Sequence, residues 1–295
     1  MKTPRFSFRS SAGFTLIELT VSMTVLALMM LSMAQVMNGA LKATTGSFKH
    51  MDADTQARLV LDRMAFDISK MVKRTDVDYY FAKGTTTATT PGNDQMAFFS
   101  EAGGYYPSAS TAAQKSNVSL VGYRVNASNQ LERLSKGLVW NGVSGSNSIV
   151  YLPQTILGTW AAITGTGAAA DTDYQVIGDQ VFRLEFSYLV RNTNGSTAAT
   201  VSDTPNLEGI SSGVGYFNPQ EVVAIIVTMA VLDSSSAATV SSSQRTTAGI
   251  KLTDAPANGT ASTTWRSSLT SLGLPLTASS QVRIYQRYCY LSSIQ

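Results

Sequence analysis

The hydrophobic pattern changes character twice along the chain. From Phe14 to Met37 it is continuous: the sole formal charge is Glu18, and apolar residues with a few Thr and Ser fill the rest. At about 1.5 Å rise per residue, a helix over this stretch is about 36 Å long, against about 30 Å for a membrane's hydrocarbon core. After Met37 the helical signal weakens at Asn38-Gly39 and Gly46, then returns as a stripe. Leu61, Met64, Ala65, Ile68, Met71 and Val72 recur at helical spacing. The other face carries Arg58, Asp62, Arg63 and Asp67, two opposite-charge pairs four residues apart, which read as a solvated face. The pattern predicts one long helix from about residue 15 to 73, softened at the glycines.

From Asp76 the period becomes two. Gln95–Ser100, Ser119–Val125, Gln130–Leu134 and Ser148–Leu152 read as short strands, with a hairpin turn at Asn126–Asn129. Val181–Val190 sets Phe182, Leu184, Phe186 and Tyr188 against Arg183, Glu185 and Ser187, predicting a strand with one packed and one wet face. Val222–Leu232 is apolar on both faces and predicts a central strand entered at Pro219. Trp265, Leu269 and Leu272 ahead of Gly273 and Pro275 predict a short helix with a glycine stop. Val282–Leu291 predicts a closing strand. Three Ser/Thr-rich stretches, Gly84–Thr90, Asn192–Ser202 and Ser234–Thr247, read as exposed, mobile connections. The fold class expected is α+β: a long N-terminal helix, protruding in its first half and packed in its second on an antiparallel β-sheet headgroup.

Composition narrows the function classes. Charged residues are 14% of the chain, below the roughly 25% usual in soluble domains. Lys2, Arg5 and Arg9 in the first 13 residues supply three of the 22 basic residues and none of the 19 acids. Removing that leader leaves the charge balanced, so no global field favours nucleic acid. Cys289 is the one cysteine, which excludes an intrachain disulfide and reads as a buried thiol. His50 is the one histidine, placed on the helix, where a Ser-His-Asp triad or a His-ligated metal has nothing to build on.

The N-terminus carries the chemistry. A Sec-type signal has a shorter apolar region ending in a small-residue cleavage site, whereas here the small residue, Gly13, precedes the apolar helix. Cleavage there leaves the helix on the mature chain. A carboxylate inside such a helix costs about 2.5–3.5 kcal/mol at mid-membrane, so Glu18 asks for a partner. Gly13-Phe14-Thr15-Leu16-Ile17-Glu18 ahead of an apolar helix resembles the prepilin signature of type IV pilins and of the pseudopilins of type II secretion. The resemblance implies cleavage between Gly13 and Phe14 by a prepilin peptidase and N-methylation of Phe14. It also implies pairing of Glu18 with the N-terminal amine of a neighbouring pilin or pseudopilin. It divides the chain into a leader (1–13), a transmembrane and filament-core helix (14–37) and an extracytoplasmic headgroup (38–295). The basic leader puts the N-terminus in the cytoplasm and the headgroup across the bacterial inner membrane.

The order of later elements resembles the J-type minor pseudopilin and the larger minor pilins. A long helix leads into Leu61-Asp62-Arg63-Met64, Leu184-Glu185-Phe186-Ser187-Tyr188 forms a strand, and Val282-Arg283-Ile284-Tyr285-Gln286-Arg287 is the terminal segment. The resemblance implies a filament subunit acting at assembly initiation or at the tip. Two other readings compete: a filament-displayed adhesin using the Ser/Thr loops, and a signal-anchored enzyme, disfavoured by the shortage of His, Cys and acidic clusters.

Other motifs have structural explanations. Gly165-Thr166-Gly167 lacks the strand–turn–helix context of a dinucleotide loop. Asp171 with Asp173, or Asp76 with Asp78, present oxygen ligands suited to calcium, but paired Asp residues are common turn formers. No cofactor is expected. Tyr79-Tyr80-Phe81 and Tyr105-Tyr106 read as strand-packing aromatics. Asn117, Asn126, Asn194 and Asn258 open sequons that arise freely in a Ser/Thr-rich chain.

Overall fold

The computed structural model describes residues 13, 15–74, 77–105, 114–140, 174–191, 199–205, 213–216, 221–256 and 258–291. The strand expected at Ser148–Leu152 lies outside them, as do Phe14, Asp76, Tyr106, Gly165, Gly167, Asp171, Asp173, Asn194 and Pro219. The chain divides into two compact units, Met1–Phe48 and Lys49–Gln295.

Helix α1 spans Leu16–Ser69. It passes Gly39 and Gly46 without a break. In the first unit every described helical residue from Leu16 to Thr45 is exposed. That segment is long and apolar enough to cross a membrane. In the second unit the same helix buries Ala53, Ala57, Val60, Leu61, Met64 and Ile68. The buried stripe starts two turns before the sequence pattern does, at Ala53 and Ala57.

Ten strands follow: β1 (Asp78–Ala82), β2 (Gln95–Ser100), β3 (Gln114–Val125), β4 (Leu131–Trp140), β5 (Gln175–Gly178), β6 (Val181–Val190), β7 (Thr200–Ser202), β8 (Gly213–Tyr216), β9 (Val222–Val231) and β10 (Arg283–Tyr290). They form two sheets, ordered β5-β4-β3-β2-β1-β8 and β10-β9-β6-β7, with every pairing antiparallel. The β3–β4 hairpin closes at Asn129, whose φ of 58° is the left-handed conformation that Asn tolerates. Between β9 and β10 lie α2 (Ser234–Thr239), α3 (Ser242–Lys251), α4 (Ala261–Ser268) and α5 (Leu276–Ser279). The expected glycine stop is present: Gly273 has φ 75°.

The central core joins α1 to one face of each sheet, through Met64 and Ile68, Tyr79 and Phe98, Leu184 and Phe186, and Val227 and Met229. The outer face of the four-stranded sheet is covered as well. There Phe182, Ala230 and Leu232 pack with Ala248, Leu252, Trp265 and Leu272 from the short helices and their connections. This second layer corrects two expectations.

First, Ser234–Thr247 is not a mobile loop. Asp233 caps α2 by accepting the Ser236 N–H at 2.8 Å, and Ser241 with Gln244 forms a reciprocal capping box on α3. Second, β6 has no wet face, since Arg183, Glu185 and Ser187 are all buried. The register slips between Val181 and Arg183, and this bulge turns Phe182 away from Leu184, Phe186 and Tyr188 into the outer layer. The solvated face expected on α1 also fails at Asp67, which is fully buried. Its Oδ2 accepts from Tyr123 Oη at 2.5 Å and Arg133 Nε at 2.6 Å.

Candidate functional site

The first candidate is the start of α1. Thr15 is the cap and Glu18 the third helical residue, and the two satisfy each other reciprocally. Thr15 N–H and Oγ1–H each donate to Glu18 Oε2 at 2.9 Å, and Glu18 N–H donates to Thr15 Oγ1 at 3.3 Å. This is a capping box, and a carboxylate in the first turn also suits the positive end of the helix dipole. The carboxylate is exposed, and each partner named for it is a neutral Thr15 group. Below it Ile17, Val21, Val25, Leu26 and Met29 are all exposed. Gly13, just ahead of the cap, is exposed with no atom near the place a Cβ would take. Two of the three residues named for processing and assembly, Gly13 and Glu18, are thus open to approach.

The second candidate was missed in the sequence. Arg183 is fully buried beside the Trp265 ring, 5.3 Å from its centroid. Its Nη2 donates to Asp254 Oδ1 at 2.8 Å and Glu185 Oε2 at 3.3 Å, Nε donates to the Leu252 carbonyl at 3.1 Å, and Nη1 donates to the Gly92 carbonyl. Glu185 Oε1 accepts the Ala255 N–H at 2.6 Å. Asp94 accepts the Gly84 and Phe186 N–H groups, each at 2.8 Å. Asp254 also takes the Thr86 hydroxyl at 2.6 Å.

The cluster ties the 84–94 loop and the 252–255 segment to the middle of β6. The loop is pinched as it arrives: a Cβ on Gly84 would lie 2.3 Å from the Gly92 carbonyl carbon, so only glycine fits. Burial pushes Glu185 up to about 7 and outweighs the lowering by Arg183. Burial, reinforced by the Glu185 charge, pushes Asp94 well above the usual carboxylate range. Every donor and acceptor here serves the fold, so the arrangement is a staple. The sequence signal was present in Arg183-Leu184-Glu185, but nothing in an alternating strand says that both its faces will be covered.

His50 is half-buried against Arg283, whose Nη2 lies 2.8 Å from Nε2, so it is less solvated than its place on the helix suggested. Cys289 is buried in the core and burial raises its thiol to about 11, far from a nucleophile's range. Tyr79, Tyr80 and Phe81 are buried strand aromatics, while Tyr105 is exposed. Among the described residues no group of three His, Cys, Asp or Glu side chains is placed to hold a metal ion.

Residues 8–34 match the family model described as the prokaryotic N-terminal methylation motif. No curated protein matches the chain. One solved structure to which it is similar is a type IV-like pilin from Thermus thermophilus, at 12% identity and a TM-score of 0.30, covering 80% of this chain and 93% of that one.

Proposed function

We propose that this chain, type IV pilin-like in its N-terminal motif and in the order of a long helix followed by antiparallel sheets, is a minor pilin or pseudopilin subunit. The observation that carries this reading is the match of residues 8–34 to the methylation motif on a helix that leaves its apolar surface uncovered. A prepilin peptidase would cut between Gly13 and Phe14, and the new Phe14 amine would be methylated. Until assembly the apolar half of α1 anchors the chain in the inner membrane, with the headgroup on the periplasmic side. In a filament, neighbouring helices replace lipid around Leu16–Met37. Glu18 then pairs with a neighbour's amine, which adds an opposite charge that the uncharged Thr15 N–H and hydroxyl donors lack.

The headgroup favours a position at the end of a filament over one in a repeating wall. It holds two sheets and an added layer of short helices, and its order of elements resembles the J-type subunit of type II secretion. Of the three Ser/Thr stretches that the adhesin alternative would use, Ser234–Thr247 is folded into capped helices.

The test is Glu18→Ala in cells that make the filament. The variant should remain in the inner-membrane fraction, since its helix is more apolar. It should vanish from the sheared filament fraction or from cross-links to other subunits. Unchanged assembly would contradict the reading.

A further inference from the structure

Among the described residues, three of the four sheet edges are short: β5 and β8 have 4 residues each and β7 has 3. The fourth is β10, 8 residues long, paired to β9 in unbroken register. It carries no proline and no bulge, two of the devices that keep a bare edge from pairing, and its only charges are Arg283 and Arg287.

Its geometry fixes which backbone groups are open. Leu291 N–H donates to the Val223 carbonyl at 2.9 Å. In an antiparallel ladder, alternate residues bond the same neighbour, so the odd positions face β9. Ile284, Gln286, Tyr288 and Tyr290 therefore aim N–H and C=O away from the sheet. The strand is also held in place: Arg283 meets His50, Tyr285 donates to Asp54 and Arg287 donates to Asp62, all on α1. On the opposite face Tyr288 and Tyr290 stack with ring centroids 6.3 Å apart and are 41% and 66% exposed.

We propose that β10 is a strand-addition site that takes an extended acidic segment of a partner protein as a fifth strand. The backbone edge supplies pairing, and the stacked tyrosines supply an apolar ledge for alternate side chains. Charge selects the occupant. β10 bears Arg283 and Arg287 and no acid. Arg287 is met by Asp62, whereas exposed Arg283 is met by the imidazole of His50 and is left for a carboxylate opposite it. A second copy of β10 would bring the same cations together in one ribbon without an acid in either strand. Because the three α1 contacts already order the strand, little conformational freedom is lost on binding.

The test uses the full chain in detergent and a fluorescent eight-residue peptide of alternating Thr, Val and Glu, followed by anisotropy. Saturable binding is expected, with at least roughly tenfold loss when the peptide's alternate amides are methylated. Tyr288→Pro removes an outward N–H while sparing the β9 ladder and should abolish binding. Tyr288→Ala should weaken it less. Arg283→Glu should reverse the preference toward a Lys-containing peptide. Equal binding of the methylated and unmethylated peptides, or none of either, would overturn the proposal, and neither result depends on a variant that folds. Self-association of the wild-type chain that Tyr288→Pro abolishes would also overturn it, by making a second copy the occupant.

Discussion

Two glutamates, one near the start of the chain and one past its middle, frame how this molecule divides its work. Glu185 is buried in β6 and finds its partners inside the fold: Arg183 and the Ala255 amide. Glu18 is exposed at the head of an uncovered apolar helix, and its partners are Thr15 groups three residues away. The first shows a charge whose environment is complete within one chain. The second heads an apolar segment whose residues from Leu16 to Thr45 are left exposed, as the proposed life in lipid and then among other subunits requires. Removing a side chain should therefore cost stability in one region and assembly in the other.

The largest expected effect is at Arg183. Arg183→Leu strands Glu185, Asp94 and Asp254 without their shared cation, and breaking such a buried pair costs about 3–5 kcal/mol. Chemical denaturation of the full chain in detergent, followed by tryptophan fluorescence, measures it, since Trp265 stacks on the guanidinium. A loss below about 1 kcal/mol would mean the cluster is not a staple.

Next comes pH. Burial raises Glu185 to about 7 in the folded chain, above the usual carboxylate value near 4.5. The folded state thus holds this proton where the unfolded chain has released it. Stability from this group is fully present below about pH 4.5 and declines as pH rises toward 7, by at most about 1.4 kcal/mol per pH unit. Glu185→Gln should flatten the profile in that window, and an unchanged slope would show that another group sets it.

How far these regions were legible beforehand follows the same division. Residues 14–37 announce themselves, because an unbroken apolar run has few meanings and a lone carboxylate in it has fewer. The stripe of Leu61, Met64 and Ile68 and the buried run Val222–Val231 were also plain, since each is one-sided or two-sided on its own account. β6 was misread because alternation reports side-chain chemistry and not what covers each face. The covering layer was hidden too: α2 and α3 are rich in Ser and Thr, which are weaker helix formers, and neither carries a long apolar stripe. What marks them is capping, with Asp233 ahead of Ser236 and Ser241 ahead of Gln244. Read as caps, these residues would have turned a loop into helices and the wet face of β6 into a buried one. The β10 edge was invisible because an edge is a property of strand order.

Asp233→Ala should cost about 1 kcal/mol, as loss of a helix cap usually does. Hydrogen bonds from Ser235 and Ser236 outweigh desolvation and hold the Asp233 carboxyl below its usual range. Its contribution is therefore present above the unfolded value and lost as pH falls through the folded one. This is opposite in sign to Glu185, and thermal melts at acid pH distinguish the two. The smallest effect on stability belongs to Glu18→Ala, at an exposed carboxylate that touches only Thr15, although the same change should abolish recovery in filaments. If it lowered the melting temperature as Arg183→Leu does, the division between the two glutamates would fail.

The central claim is that the N-terminal segment is processed for a life among other subunits. Mass spectrometry of the native N-terminal peptide, from cells with and without the prepilin peptidase, tests it most directly. The account predicts a peptide that begins at methylated Phe14 and disappears when the peptidase is absent. A peptide that still begins within the basic leader in both strains would contradict it, leaving α1 a plain membrane anchor and Glu18 a helix cap.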